Sequence, residues 1–126
     1  MALSNESLDA IVAAVLAVNN YGLEKAYGLL PALRKAGLTR PAKVVNEDLG
    51  TLTVRLARAG YNRGLLTEMM AGRLLGLMKA VHEGTLDRLD SLAASGDQDR
   101  TLALLCEIHG IGPQVAANAW MLLRGR

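Results

Sequence analysis

Cys106-Glu107-Ile108-His109-Gly110-Ile111-Gly112-Pro113-Gln114-Val115-Ala116-Ala117-Asn118 sets a tight Gly-Ile-Gly turn between two stretches of helical apolar period. The first glycine falls where the residue after a helix needs a positive φ. The second lets backbone come close to a ligand, and Pro113 suits the first position of the next helix. A reversal of this kind is expected to turn free amides outward. With the positive end of the following helix dipole, those amides would hold an anion such as a DNA phosphate, a contact indifferent to base sequence. The same spacing suits a close-packed helical hairpin in which both glycines only permit the reversal. Spacing leaves the two readings open.

The rest of the chain narrows the setting. With 126 residues, 51% of them hydrophobic and 21% charged, it is long and apolar enough for one globular domain with a real core. Aromatic residues amount to 3% and phenylalanine is absent, so that core must be built from Leu, Val, Ala and Met, which suits helices. A formal charge of +2 permits a nucleic-acid partner without announcing one. The single cysteine, Cys106, excludes an intramolecular disulfide and any four-cysteine iron-sulfur or zinc site, and it fits a reduced cytoplasm. The apolar run from Ala10 to Val18 is too short to span a bilayer, and Glu6 and Asp9 stand where a signal peptide would carry basic residues. A cytoplasmic protein with no membrane partner is expected.

Helical period dominates throughout, and no segment alternates strictly as a half-buried strand would. Ser4 or Ser7 is expected to cap a first helix running to about Val18. A second, from about Leu23 to Lys35, should kink or split near Leu30 because of Pro31. A loop from Ala36 to Pro41 and a short helix to about Val45 follow. Asn46 then offers a cap for a helix from Glu47 to Ala59, closed by Gly60. A long helix is expected from about Leu65 to His82, another opened by Thr85 or Asp87, and the last two over Arg100 to His109 and Pro113 to about Leu123. The expectation is an all-α fold, a compact orthogonal bundle of about seven or eight helices, forming one domain over residues 1–126 with the hairpin motif at 101–123.

Three stretches in this order resemble the helix-hairpin-helix DNA glycosylases, the superfamily of endonuclease III, adenine glycosylase and 8-oxoguanine glycosylase. Leu16-Ala17-Val18-Asn19-Asn20 is similar to the end of that family's first barrel helix, where a polar amide enters the gap left by an extruded base; Asn19 is the matching position. Ala59-Gly60-Tyr61-Asn62-Arg63-Gly64, ahead of a long amphipathic helix, resembles the family's loop of glycine, an aromatic or apolar residue, and asparagine. Gly110 to Asn118 resembles the hairpin itself. The resemblance implies double-stranded DNA, damaged or intact, as the partner, gripped through Gly110, Ile111, Gly112 and Gln114, with His109 as a capping group or phosphate donor. Asn19 and Arg63 would share that face.

The same resemblance implies losses. Where bifunctional members carry the lysine that forms a Schiff base with the sugar, this chain has Gln114, so that lyase activity is not expected. The family's catalytic aspartate lies beyond the second hairpin helix, and the chain stops at Arg126, so no residue is expected at that position and the catalytic residues stay unassigned. Asp97, Asp99 and Glu107 read as helix-end or solvated acids, and His82 as a surface residue. No spacing of His, Cys and carboxylates suits a metal, so neither metal nor cofactor is expected. Cys106, Met69, Met70 and Met78 read as core filler. Tyr21 or Tyr61 offers a ring for stacking on a base, although a half-buried tyrosine at a helix end is the commoner role.

Three functions are thus carried forward. The first is a DNA-binding relative of base-excision repair glycosylases with doubtful catalysis. The second is an active N-glycosylase drawing a carboxylate from an unusual position or a partner chain. The third is a helical protein-interaction module, with a homodimer or other protein contact around Trp120 and Met121.

Overall fold

The computed structural model describes residues 3–18 and 21–124, and over them the protein is all-α without a strand. The first helix, α1 (Asn5–Leu16), starts at Ser4, whose side-chain oxygen accepts from the Ser7 amide at 3.2 Å. Every residue from Ser7 to Leu16 is buried, so α1 is the central rod around which the bundle is wrapped. It ends at Leu16, two residues before its apolar run does, with Ala17 as its C-cap, because the chain must turn there to reach the next helix.

Pro31 acts as expected: α2 (Leu23–Gly28) and α3 (Leu30–Lys35) are two pieces of one helix broken at Leu29, with the proline in the first turn of the second piece. Its missing N–H falls where a helix start has no partner to lose. After the loop at 36–40 comes α4 (Pro41–Val44). Asp48, not Asn46, caps α5 (Leu49–Arg58), accepting from the Thr51 amide at 2.8 Å and its hydroxyl at 3.1 Å. Asn46 instead donates back to the Ala42 carbonyl at 3.1 Å and closes α4.

The long helix α6 (Leu66–His82) follows, then turns over residues 83–88 before α7 (Leu89–Ala94). Neither Thr85 nor Asp87 opens α7, since both amides are used inside those turns, on Ala80 and Gly84. Asp97 caps α8 (Gln98–Cys106) by accepting from the Arg100 amide at 3.1 Å. The helix therefore starts earlier than expected and also ends earlier, at Cys106 rather than His109. The last is α9 (Pro113–Arg124). These are nine helical segments among the described residues, or eight with α2 and α3 counted as one broken helix.

Around α1 pack α9, α2 and α6; α5 and α4 lie on α6, and α8 on α9. Ile11, Leu16, Leu30, Leu33, Leu52, Leu56, Met70, Leu74 and Leu77 are fully buried. Met70 and Met78 belong to this core, but Met69 does not: one residue is about 100° around the helix, which turns it 39% into solvent. Cys106 is exposed, contrary to its expected core role. No helix among the described residues is long and apolar enough to cross a membrane.

Two polar ties fix the N-terminal half of α1. Asp90 on α7 accepts from the Ser4 amide at 2.7 Å and from the Ser7 hydroxyl. Asp9, buried in α1, takes the Arg34 guanidinium of α3 at 2.7 Å. Each satisfies a polar group that burial would otherwise leave costly.

Candidate nucleic-acid interface

Between α8 and α9 the chain reverses over residues 107–112. Ile108 and Ile111 point inward, both nearly fully buried, and anchor the turn in the core. The Ile111 amide donates to the Ile108 carbonyl at 3.0 Å, so it is spent inside the turn and is not turned outward. Gly110 carries the positive φ, +95°, that the reversal requires. Gly112 has no positive φ; its carbonyl accepts from the Ala116 amide at 3.0 Å and so opens α9. The amides of Gly112 and Gln114 have no intramolecular acceptor among the described residues. They stand at the positive end of a 12-residue helix. His109 and Gln114 are exposed, and Gln114 donates to the Asn118 side chain at 3.2 Å.

The second predicted element is the loop after α5. Gly60, at φ +115°, ends that helix, and its backbone approaches Leu29 so closely that a Cβ would stand 3.0 Å from the leucine Cδ2. Tyr61 is fully buried, which removes it as a stacking ring; its hydroxyl donates to the Leu16 carbonyl at 2.8 Å. Arg63 donates to the Val18 carbonyl at 2.6 Å and lies 5.1 Å from the Tyr21 ring centre and 5.8 Å from that of Tyr61. Its guanidinium thus braces the end of α1 as well as being half exposed. The Asn62 side chain accepts from the Gly64 amide at 3.3 Å, tightening the turn. Asn19 lies outside the described residues; Val18, next to it, is on this face.

Tyr21 completes a small tilted aromatic pair, its ring centre 4.8 Å from that of Tyr61 and the planes at 60°, with the Lys25 ammonium 4.9 Å above it. Burial pushes both phenols above their ordinary range; for Tyr61 the hydrogen bond from Arg63 and the charges of Arg63 and Arg73 oppose that rise. Arg73 was not singled out by the sequence. Its aliphatic stem lies across Gly110, with Cγ 3.0 Å from where a Cβ would be. That contact joins α6 to the hairpin, while the arginine's charge is felt at Tyr61. Tyr61 thus ties the loop at 61–63 to the end of α1, and Arg73 ties α6 to the hairpin. Nothing in the local pattern distinguishes Arg73 from any other polar residue of an amphipathic helix, so only the fold could bring it forward.

The carboxylates are elsewhere engaged or exposed. Asp97 caps α8, Asp99 is exposed, and Glu107 borders a surface depression with Arg88 and Arg100. Trp120 is half buried beneath the Arg124 guanidinium, 5.5 Å from its ring centre, and Met121 is exposed beside it. No family model, curated protein or solved structure matches this chain.

Proposed function

We propose that this protein binds duplex DNA through its phosphate backbone, as a relative of the base-excision repair glycosylases with Gln114 in place of their Schiff-base lysine. The reading is carried by one observation: the Arg73 stem seated on Gly110, which brings a cation to the turn where the Gly112 and Gln114 amides open α9. Oriented amides at a helix start and a neighbouring guanidinium are the groups that hold phosphate oxygens without reading bases. Lys25 and Arg73 make no ion pair among the described residues, so their charge is available to a polyanion.

The test is fluorescence anisotropy with duplexes that are intact or carry an abasic-site analogue or 8-oxoguanine, at two salt concentrations, beside Gly112→Glu. That substitution is sterically open, since a Cβ at Gly112 meets nothing within 4 Å. Salt-sensitive binding that it abolishes supports the hairpin as a DNA clamp, whereas no binding to any duplex at low salt overturns the reading.

A further inference from the structure

The positive charge of this protein is unevenly spread along its sequence. Over residues 25 to 73 there are nine lysines and arginines against three acids, whereas residues 83 to 107 hold six acids against two arginines. A net charge of +2 therefore hides two stretches of chain of opposite sign. In the basic stretch, Lys35, Arg55 and Arg58 line one depression of about 370 Å³ floored by Ala32, Ala36 and Ala59. Arg55 is neutralised by Glu47 and held on the Ala36 carbonyl, which fixes the wall of the depression. Lys35 and Arg58 are exposed and form no ion pair among the described residues.

Ala59, in the wall of this depression, is followed directly by Gly60 of the loop described above. The α2–α3 break at Leu29 is packed on Gly60, so the two chain segments meet there. On one side of that contact Lys35 and Arg58 share the depression; on the other Lys25 and Arg63 share the Tyr21 ring. Arg73 then leads to Gly110. We propose that the seam between α3 and the end of α5 is a second phosphate-contact surface, on which Lys35 and Arg58 hold the backbone of the same duplex beyond the hairpin. The inference rests on the duplex-binding reading and extends its footprint. A cationic track with small residues beneath it admits a phosphate backbone closely and gives no base readout.

The experiment measures the salt dependence of duplex affinity for the wild type, Lys35→Glu/Arg58→Glu, Gly112→Glu and Arg88→Glu, with thermal melts confirming that each is folded. The double variant is expected to bind about tenfold or more weakly, equally on intact and lesion duplexes. Its log K against log salt slope should be shallower by about two, one for each lost phosphate contact. Arg88→Glu, in the acidic stretch of the chain, should stay within about twofold of wild type. Unchanged affinity and slope in the double variant, with Gly112→Glu still abolishing binding, would overturn the second surface and leave the hairpin reading standing. Loss in the double variant with Gly112→Glu unaffected would keep the basic seam and discard the hairpin. A wild type that binds no duplex removes both.

Discussion

The hydroxyl of Tyr61 and the carbonyl of Leu16, 45 residues apart in the chain, form a buried 2.8 Å hydrogen bond that ties the loop after α5 to the last turn of α1. The carbonyls of a final helical turn have no intrahelical partner, and this one is buried away from water. Tyr61→Phe keeps the ring and removes the donor. Stability should fall by about 1–3 kcal/mol, the cost of a buried unsatisfied acceptor, with a lower urea midpoint at unchanged slope. An unchanged midpoint would mean that the Leu16 carbonyl does not depend on this bond.

The two hairpin glycines should separate cleanly. Gly110 combines φ +95° with Arg73 at 3.0 Å from a would-be Cβ, whereas Gly112 has an ordinary φ and open space. Gly110→Ala is expected to destabilise by about 1–3 kcal/mol and Gly112→Ala by no more than about 0.5 kcal/mol, read by chemical denaturation. Equal effects would contradict the turn geometry.

Asp90 joins α7 to the start of α1 through the Ser4 amide and the Ser7 hydroxyl. Asp90→Ala should cost about 1–3 kcal/mol. Hydrogen exchange should show the loss first at the N-terminal end of α1, while α5 and α6 keep their protection. Uniform loss across all helices would show that this tie is not local.

The Thr51 amide, followed by the Thr51 hydroxyl, holds the Asp48 carboxyl below its ordinary value of 3.8. A depressed carboxylate contributes stability that is complete above that value and lost as pH falls through the lower folded-state value. The acid limb of a thermal-stability profile should therefore be less steep for Asp48→Asn below about pH 4. Superimposable limbs would show that the cap carries no charge dependence.

Cys106 ends α8 exposed. As the sole thiol in the chain, it should react fully with Ellman's reagent in the folded protein, without denaturant. A thiol that appears only on unfolding would return it to the core.

Much of the secondary structure was legible residue by residue. Ser4, Pro31, Gly60, Asp97 and Pro113 each act within a few residues of themselves, through a cap, a lost donor or a turn, and the helix breaks fall beside them. Where two cap residues stood close together the pattern picked the wrong one: Asn46 was expected to cap α5, which begins instead after Asp48, whose carboxylate reaches Thr51. The pattern also misled for Cys106, since a small residue in an apolar run fits either face, and the end of α8 turns it outward.

By itself the sequence determined an all-α chain with an aliphatic core and a Gly-Ile-Gly reversal near its end, because period, propensity and turn chemistry act over a few residues. The tertiary structure alone decided that Tyr61 is an internal brace, that Arg63 holds the Val18 carbonyl, and that Arg73 lies on Gly110. Those contacts join residues 37 to 45 positions apart, and their partners are chosen by how whole helices pack around α1, which no local pattern records.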